Sequence, residues 1–246
     1  MLQPTESKFY YAALAVLFLL NLSIFLPPFL IFAGNEGGAA FLYNLHNYDH
    51  QWIYRSQCVF KSPGGSLLVD DCIVQGKETD ANISTLYTTN GNPRYNGVYG
   101  VYPQSQIGDN KAEKVVRNGM VGYKFANDTR DYAIYLPWLL TMLAYPFIFG
   151  RGRVEMPSWK WFALAILPLA IDGFTQLLAG KFGNPAFYWL YYPFGLPEST
   201  NLIRLVTGAI AGIAVGIYTV PLINGLSDGK KHGGQREIFA KISRQL

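Results

Sequence analysis

Charge is scarce in this chain. Its 246 residues hold 20 Lys and Arg and 16 Asp and Glu, 15% in all, against 50% hydrophobic and 15% aromatic residues. That balance argues against a disordered chain and against an ordinary soluble globule. Two cysteines are too few for a disulfide-dense scaffold, and without a CxxC spacing they make a weak zinc site. The sequence contains no Walker loop, GxSxG, HExxH, CxxCH or GxGxxG element, so ATP hydrolysis, serine hydrolysis and covalent haem attachment lack support.

What the chain does have is four long apolar stretches: Phe9 to Ala33, Tyr132 to Phe149, Trp159 to Gly180 and Leu202 to Leu222. Within them Lys160, at the start of the third, and Arg204 are the only basic residues and Asp172 the only acidic one. A bilayer offers no partner to a bare peptide group, and a spanning helix needs roughly 20 apolar residues. The expectation is therefore an all-α transmembrane bundle of four helices, with a small β-rich extracytoplasmic cap inserted between helices 1 and 2. Residues 1–33 would hold the N-terminus and the first helix, 34–131 the cap, 132–225 the other three helices with an aromatic loop over 181–200, and 226–246 a basic tail. The first stretch, opening near Met1, is expected to be kept rather than cleaved, since it is long for a signal peptide and contains Pro27 and Pro28.

Orientation follows from short basic segments, which stay cytoplasmic. Arg151, Arg153 and Lys160, and then Lys230, Lys231, Arg236, Lys241 and Arg244, place both termini inside and residues 34–131 outside the plasma membrane. The net charge of +4 is thus an inner-face bias and no argument for nucleic acid. In the tail Ile238, Phe239, Ile242 and Leu246 share a helical face among cations, which suits a helix lying on an anionic leaflet, a partner-docking helix or a frayed end.

The outer segment opens with helical spacing from Ala39 to Phe60 and continues in short β-like runs over 67–69, 72–74, 83–88, 98–102, 115–116 and 120–125. Turn signals at Ser62-Pro63-Gly64-Gly65, Asn90-Gly91-Asn92-Pro93, Asn96-Gly97 and Gly108-Asp109-Asn110 separate the runs. Tyr87, Tyr95, Tyr99, Tyr102 and Tyr123 suit a wet boundary. Cys58 and Cys72 both fall here, and in an oxidising compartment they are expected to pair. Asn82-Ile-Ser and Asn127-Asp-Thr match the glycosylation acceptor pattern.

Polar residues inside apolar helices carry more information, because lipid penalises them. Asp172, Thr175 and Gln176 share one helical face, as do Asn201, Arg204 and Thr207. Together they predict a polar clasp in the outer half of the membrane, joined at its outer face by Arg130, Asp131 and Glu198. Gly208, Gly212 and Gly216 form a GxxxG ridge suited to close helix packing, with the third helix as its expected guest. Such a clasp serves either as structure or as the lining of a site. His46 and His50, at i and i+4, with Asp49 and Asp128, are a candidate divalent-metal set; no cofactor is otherwise predicted.

The elements Asp49-His50-Gln51 with Arg55-Ser56, Arg130-Asp131, Asp172-Gly173-Phe174-Thr175-Gln176 and Asn201-Leu-Ile-Arg204-Leu-Val-Thr207-Gly208 resemble those of small prokaryotic polytopic membrane proteins grouped as a domain of unknown function. The resemblance implies a helical membrane fold and no assigned reaction. That family often carries cysteines where this chain has Asp49 and Asp128, so any metal role there would here fall to carboxylates, and a disulfide at that place is excluded. Three functions follow as expectations: foremost, a non-catalytic subunit of a larger membrane complex, with membrane-protein partners or further copies of itself. The others are an outer-leaflet enzyme with metal at Asp49, His50 and Asp128, and a small carrier using Asp172 and Arg204.

Overall fold

The computed structural model describes residues 8–46, 53–74, 81–84, 96–98, 114–150, 154–182 and 199–231. Five α-helices are described: α1 (Lys8–Phe32), α2 (Glu36–Leu45), α3 (Thr129–Ile148), α4 (Trp159–Phe182) and α5 (Asn201–Lys231). Between α2 and α3 lie β1 (Gln57–Lys61), β2 (Leu67–Asp71), β3 (Ala81–Ser84), β4 (Asn96–Val98), β5 (Lys114–Arg117) and β6 (Met120–Lys124). They form one sheet in the order β2-β1-β6-β5-β3-β4, antiparallel throughout.

The four-helix transmembrane bundle is not what the chain builds. Among the described residues two helices are long and apolar enough to cross a membrane, Lys8–Phe32 and Asn201–Leu226. The stretches 132–149 and 159–180 do form helices, but neither is one of those two. Helix α3 opens on Arg130 and Asp131 and contains Pro137 and Pro146. Helix α4 carries Lys160, Asp172, Gln176 and Pro168.

The chain divides into two compact units, and the division falls inside α1. One unit comprises residues 1–20, 133–190 and 204–246; the other comprises 21–132 and 191–203. In the first, Tyr10, Leu17, Leu139, Met142, Tyr145 and Val220 form the buried core. Prolines shape its hydrogen bonding: Pro146 has no N–H to give the Met142 carbonyl four residues back, and the Tyr10 hydroxyl donates to that carbonyl instead at 2.6 Å. The glycines of α5 admit α3. A Cβ on Gly212 would come within 2.3 Å of the Ile134 carbonyl oxygen, and one on Gly216 within 2.6 Å of Thr141 Cβ. The ridge therefore receives α3, the second apolar stretch, rather than the third.

In the second unit the helical pattern stops at Leu45, and residues 57–61, expected to continue it, form β1. Asn96-Gly97, a turn signal, lies inside β4. The tight hairpin is elsewhere, at Asn118-Gly119 between β5 and β6, where both residues adopt positive φ (52° and 72°). That pair suits the two-residue turn that a twisted hairpin requires. Ile53, Cys58, Phe60, Cys72, Ile73 and Val115 form the core on one face of the sheet. Gly122, opposite Phe60 in the ladder, leaves room for its ring, which a Cβ would approach to 2.4 Å. Cys58 and Cys72 are disulfide-bonded with Cα atoms 4.9 Å apart, as the compartment argument predicts.

Candidate functional site

A buried polar cluster in the second unit joins four parts of the chain. Its centre is Ser56, fully buried between the short 3-10 turn Ile53–Arg55 and β1. Ser56 Oγ donates to Asp128 Oδ1 at 3.1 Å, and its carbonyl accepts from Cys72 N at 3.0 Å and from Asn201 Nδ2 at 3.4 Å. Next along, Gln57 Oε1 accepts from the Tyr132 hydroxyl at 2.7 Å, and the Gln57 carbonyl accepts from Phe125 N at 3.1 Å. Tyr132 also reaches Thr129 Oγ1 at 3.2 Å. The end of β2, the start of α3 and the first residue of α5 are thus tied to one residue pair, Ser56-Gln57.

Asp71 closes the cluster. Burial is the largest influence on its carboxyl and raises it from its ordinary value; side-chain hydrogen bonds from Asn201 and Gln57 pull it down, Asp70 pushes it up and Arg117 pulls it down, leaving a net rise. Arg117 is itself nearly buried; its Nη1 donates to the Asp71 carbonyl at 2.9 Å, its Nη2 pairs with Asp70, and its guanidinium lies over the Phe60 ring at 4.9 Å. A carboxyl with a raised folded value binds its proton more tightly when folded. Its contribution to stability is full below the ordinary carboxylate range and is lost as pH rises through the raised value. Stability is expected to fall across that window, and Asp71→Asn to flatten the fall, as read by denaturation midpoints from roughly pH 3 to 8. An unchanged slope in Asp71→Asn would count against this assignment.

Aromatic packing holds the cluster against α1. Phe25, Phe125 and Tyr132 meet edge-on or tilted at centroid distances of 4.9, 5.3 and 5.6 Å. Pro28 leaves the Ile24 carbonyl without its helical donor, and Ala126 N supplies one at 2.9 Å. The double proline that weakens α1 as a helix thereby creates the anchor for the loop entering α3.

Several residues chosen from sequence lie elsewhere. Asn201 joins Ser56 and Asp71, in the unit that does not contain Asp172, Thr175, Gln176, Arg204 and Thr207. Asp172, Gln176 and Arg204 are buried at 2%, 9% and 1% exposure, and none of them is without a partner; Thr207 Oγ1 donates to the Arg204 carbonyl at 3.4 Å. Asp131 N donates to the Asp128 carbonyl in the first turn of α3, and Arg130 is half-buried beside it. Of the candidate metal residues, His46 shares a 2.9 Å hydrogen bond with Ser23 and Asp128 is held by Ser56. Among the described residues no three or more His, Cys, Asp or Glu gather as a metal site. Asp49, His50, Glu198, Tyr87, Tyr95, Tyr99, Tyr102, the loop from 183 and the tail from 232 lie outside the described residues. Asn127 and Thr129 are buried at 3% and 0%, which closes that sequon to a bulky glycan in the folded chain; Asn82 lies in β3, its side chain outside the described set.

Sequence reasoning missed Gln57, Asp71, Tyr132 and Lys124. Lys124 has no solvent exposure, and its carbonyl accepts from the Tyr43 hydroxyl at 2.5 Å. Nothing in the local pattern of β6 sets it apart, although alternation along the strand puts it on the same face as Gly122.

Comparison with known proteins falls on the end of this cluster and the helices after it. The family model described as Predicted membrane protein (DUF2085) matches residues 119–218. The family segment contains Arg130-Asp131, Asp172 to Gln176 and Asn201 to Gly208, three of the four elements that carried the resemblance, which is borne out. An uncharacterized protein of Methanocaldococcus jannaschii is 35% identical over 101 residues, 41% of this chain and 54% of that relative. The match therefore spans about half of the relative's length. No solved structure matches. The matched family is one of unknown function, described as a predicted membrane protein.

Proposed function

We propose that this protein is a non-catalytic subunit of a larger membrane assembly. The observation that carries the reading is the edge of the sheet. Among the described residues β2 is a terminal strand, and its consecutive Leu67, Leu68 and Val69 are 51%, 48% and 51% exposed. An edge strand presents unpaired peptide groups, and proteins that work alone blunt such edges with charge, proline or a bulge. An apolar edge instead suits a partner that adds a strand or covers the face. The polar cluster supports the same reading, since Ser56, Asp128, Asn201 and Gln57 are engaged with one another as a tie between elements.

In this reading both termini are cytoplasmic and residues 34–131 lie outside. Lys8 and the basic tail from Lys230 to Arg244 support the first placement, and the Cys58–Cys72 disulfide supports the second. The test is purification in mild detergent from the native membrane, with identification of co-purifying chains and elemental analysis of the same fraction. The expected result is a stoichiometric partner that Leu68→Lys, an exposed position, releases. A lone chain carrying a transition metal would sink the reading.

A further inference from the structure

The short helix after α1 doubles back along α1. Gly34, at φ 81°, reverses the chain, with Gly34 N and Asn35 N bonded to the Ile31 and Leu30 carbonyls at 2.9 and 2.8 Å. Asn35 then caps α2, its side chain accepting from Gly38 N at 2.9 Å. Near the top of the pair Ala39 and Tyr43 pack with Leu30 and Ile31. At the bottom His46 Nε2 and Ser23 Oγ are hydrogen-bonded at 2.9 Å. From Phe32 down to Ser23 is about 14 Å of helix and from Glu36 to His46 about 15 Å, at 1.5 Å per residue. The two lengths agree, so α2 runs antiparallel to the outer part of α1 for its whole length.

That geometry sets its surroundings. Helix α1 is one of the two helices, among the described residues, apolar and long enough to cross a membrane, and at about 37 Å it exceeds the roughly 30 Å hydrocarbon layer by only some five residues. Ser23 lies nine residues before its end, below the outer boundary, and His46 lies beside it. After Glu36 in the first turn α2 carries no charged residue. Its buried side is Ala39 and Tyr43; on the other side Phe41 is 62% and Leu45 52% exposed, at i and i+4. Asn44 beside them has a partner of its own. The apolar surface continues on α1 at Phe29 and Leu22, 42% and 41% exposed.

The geometry points to α2 as a re-entrant helix of the outer leaflet, with Phe41 and Leu45 against lipid acyl chains. Gly34 turns it inward, Tyr43 fixes it to Lys124 of the sheet, and the Ser23–His46 bond satisfies the polar end that the helix carries below the surface. The inference rests on α1 crossing the bilayer, and it makes α2 a second, lipid-held attachment of the outer unit.

Photocrosslinking tests it on the full chain in its native membrane. Phe41 and Leu45, both exposed and tolerant of a larger ring, are replaced singly by p-benzoylphenylalanine. Phe18, 55% exposed in the middle of α1, serves as the reference. After irradiation, phospholipid adducts at 41 and 45 comparable to those at 18 are the expected result. Adducts to another protein chain at 41 and 45, with lipid at 18, would assign the face to a partner and overturn the inference. Loss of lipid adducts at 41 and 45 alone would place α2 in water and overturn it equally. No lipid adduct at 18 would instead remove the membrane crossing of α1, and the inference with it.

Discussion

Gly212→Ala is expected to lower the stability of the detergent-solubilised protein by about 2 kcal/mol, within the range seen for overpacking a tight contact. The added Cβ would stand 2.3 Å from the Ile134 carbonyl oxygen. That oxygen belongs to the backbone of α3 and cannot swing aside as a side chain would, so α3 must shift away from α5. The contact continues at Gly216, where a Cβ would meet Thr141 Cβ at 2.6 Å and the Trp138 carbonyl oxygen at 3.1 Å. Once α3 has moved for the first substitution the second has less left to break, so the double variant should fall short of the sum. Gly225→Ala, on the same helix with nothing within 4 Å, is the control. It should be neutral or slightly stabilising, by up to roughly 1 kcal/mol of helix propensity. Thermal unfolding of Gly212→Ala, Gly216→Ala, the double variant and Gly225→Ala decides the matter. Equal midpoints for Gly212→Ala and Gly225→Ala would mean that the ridge is not a packing surface within the chain. The same variants separate the ridge from partner binding, because a seam filled by α3 should lose stability before it loses any co-purifying chain.

That seam also shows what could be read from sequence and what could not. The three glycines at intervals of four announce a close helix approach, since period and residue size are local properties. The identity of the guest is not local, and the expected helix, Trp159–Phe182, was the wrong one. The same division runs through the fold. Two cysteines in one outer segment leave a single intramolecular pairing, so that bond was legible. The membrane character was legible in the apolar runs and in the family elements. The number of crossings was not, because counting run length gave no weight to Arg130, Asp131, Pro137 and Pro146 in α3.

The polar cluster resisted reading for a further reason. Asn201, Arg204 and Thr207 share a helical face, which suggested a common environment. Asn201, as the first residue of α5, instead reaches back to Ser56 and Asp71. Half-buried Asp71 and buried Lys124 sit in strands where nothing adjacent distinguishes a covered charge from a solvated one; only the chain brought over them does so. Two proline signals were available and carried more than a warning of broken helices. Each removes a donor four residues after a carbonyl, and in both cases a distant group fills the gap, Tyr10 at Met142 and Ala126 at Ile24. A buried carbonyl facing a missing donor needs a tertiary partner, so prolines in such helices mark places where contacts are to be sought. Asn118-Gly119 was a strong hairpin signal passed over, while Asn96-Gly97, of the same type, stands in a strand.

Replacing Cys58 and Cys72 together by alanine is expected to destabilise the outer unit by about 3 kcal/mol, the entropy of a closed loop of this order on the chain-entropy model. The bond joins residues separated by 14 positions, and both cysteines are wholly buried in the core of the sheet with Ile53, Phe60, Ile73 and Val115. For a unit of roughly 100 residues the loss corresponds to a fall in Tm of about 10–20 °C. The consequence should extend past the hairpin. Cys58 leads directly from Ser56-Gln57 along β1, and Cys72 follows Asp71, with its N–H on the Ser56 carbonyl; the bond thus fixes the two sides of the polar cluster. Without it, Asp71 should lose its hold on Asn201 and Gln57 and approach the solvent. Its raised carboxyl would then return toward the ordinary range, and the decline of stability with rising pH should shrink in the double variant as it does in Asp71→Asn. Calorimetry of the full-length protein in detergent, run across pH for both variants, separates the two effects. A lower Tm with the original pH slope would confine the bond to holding β1 against β2. A lower Tm with a flattened slope would make it the clamp of the cluster as well. An unchanged Tm would show that the antiparallel ladder and its apolar core hold that hairpin unaided.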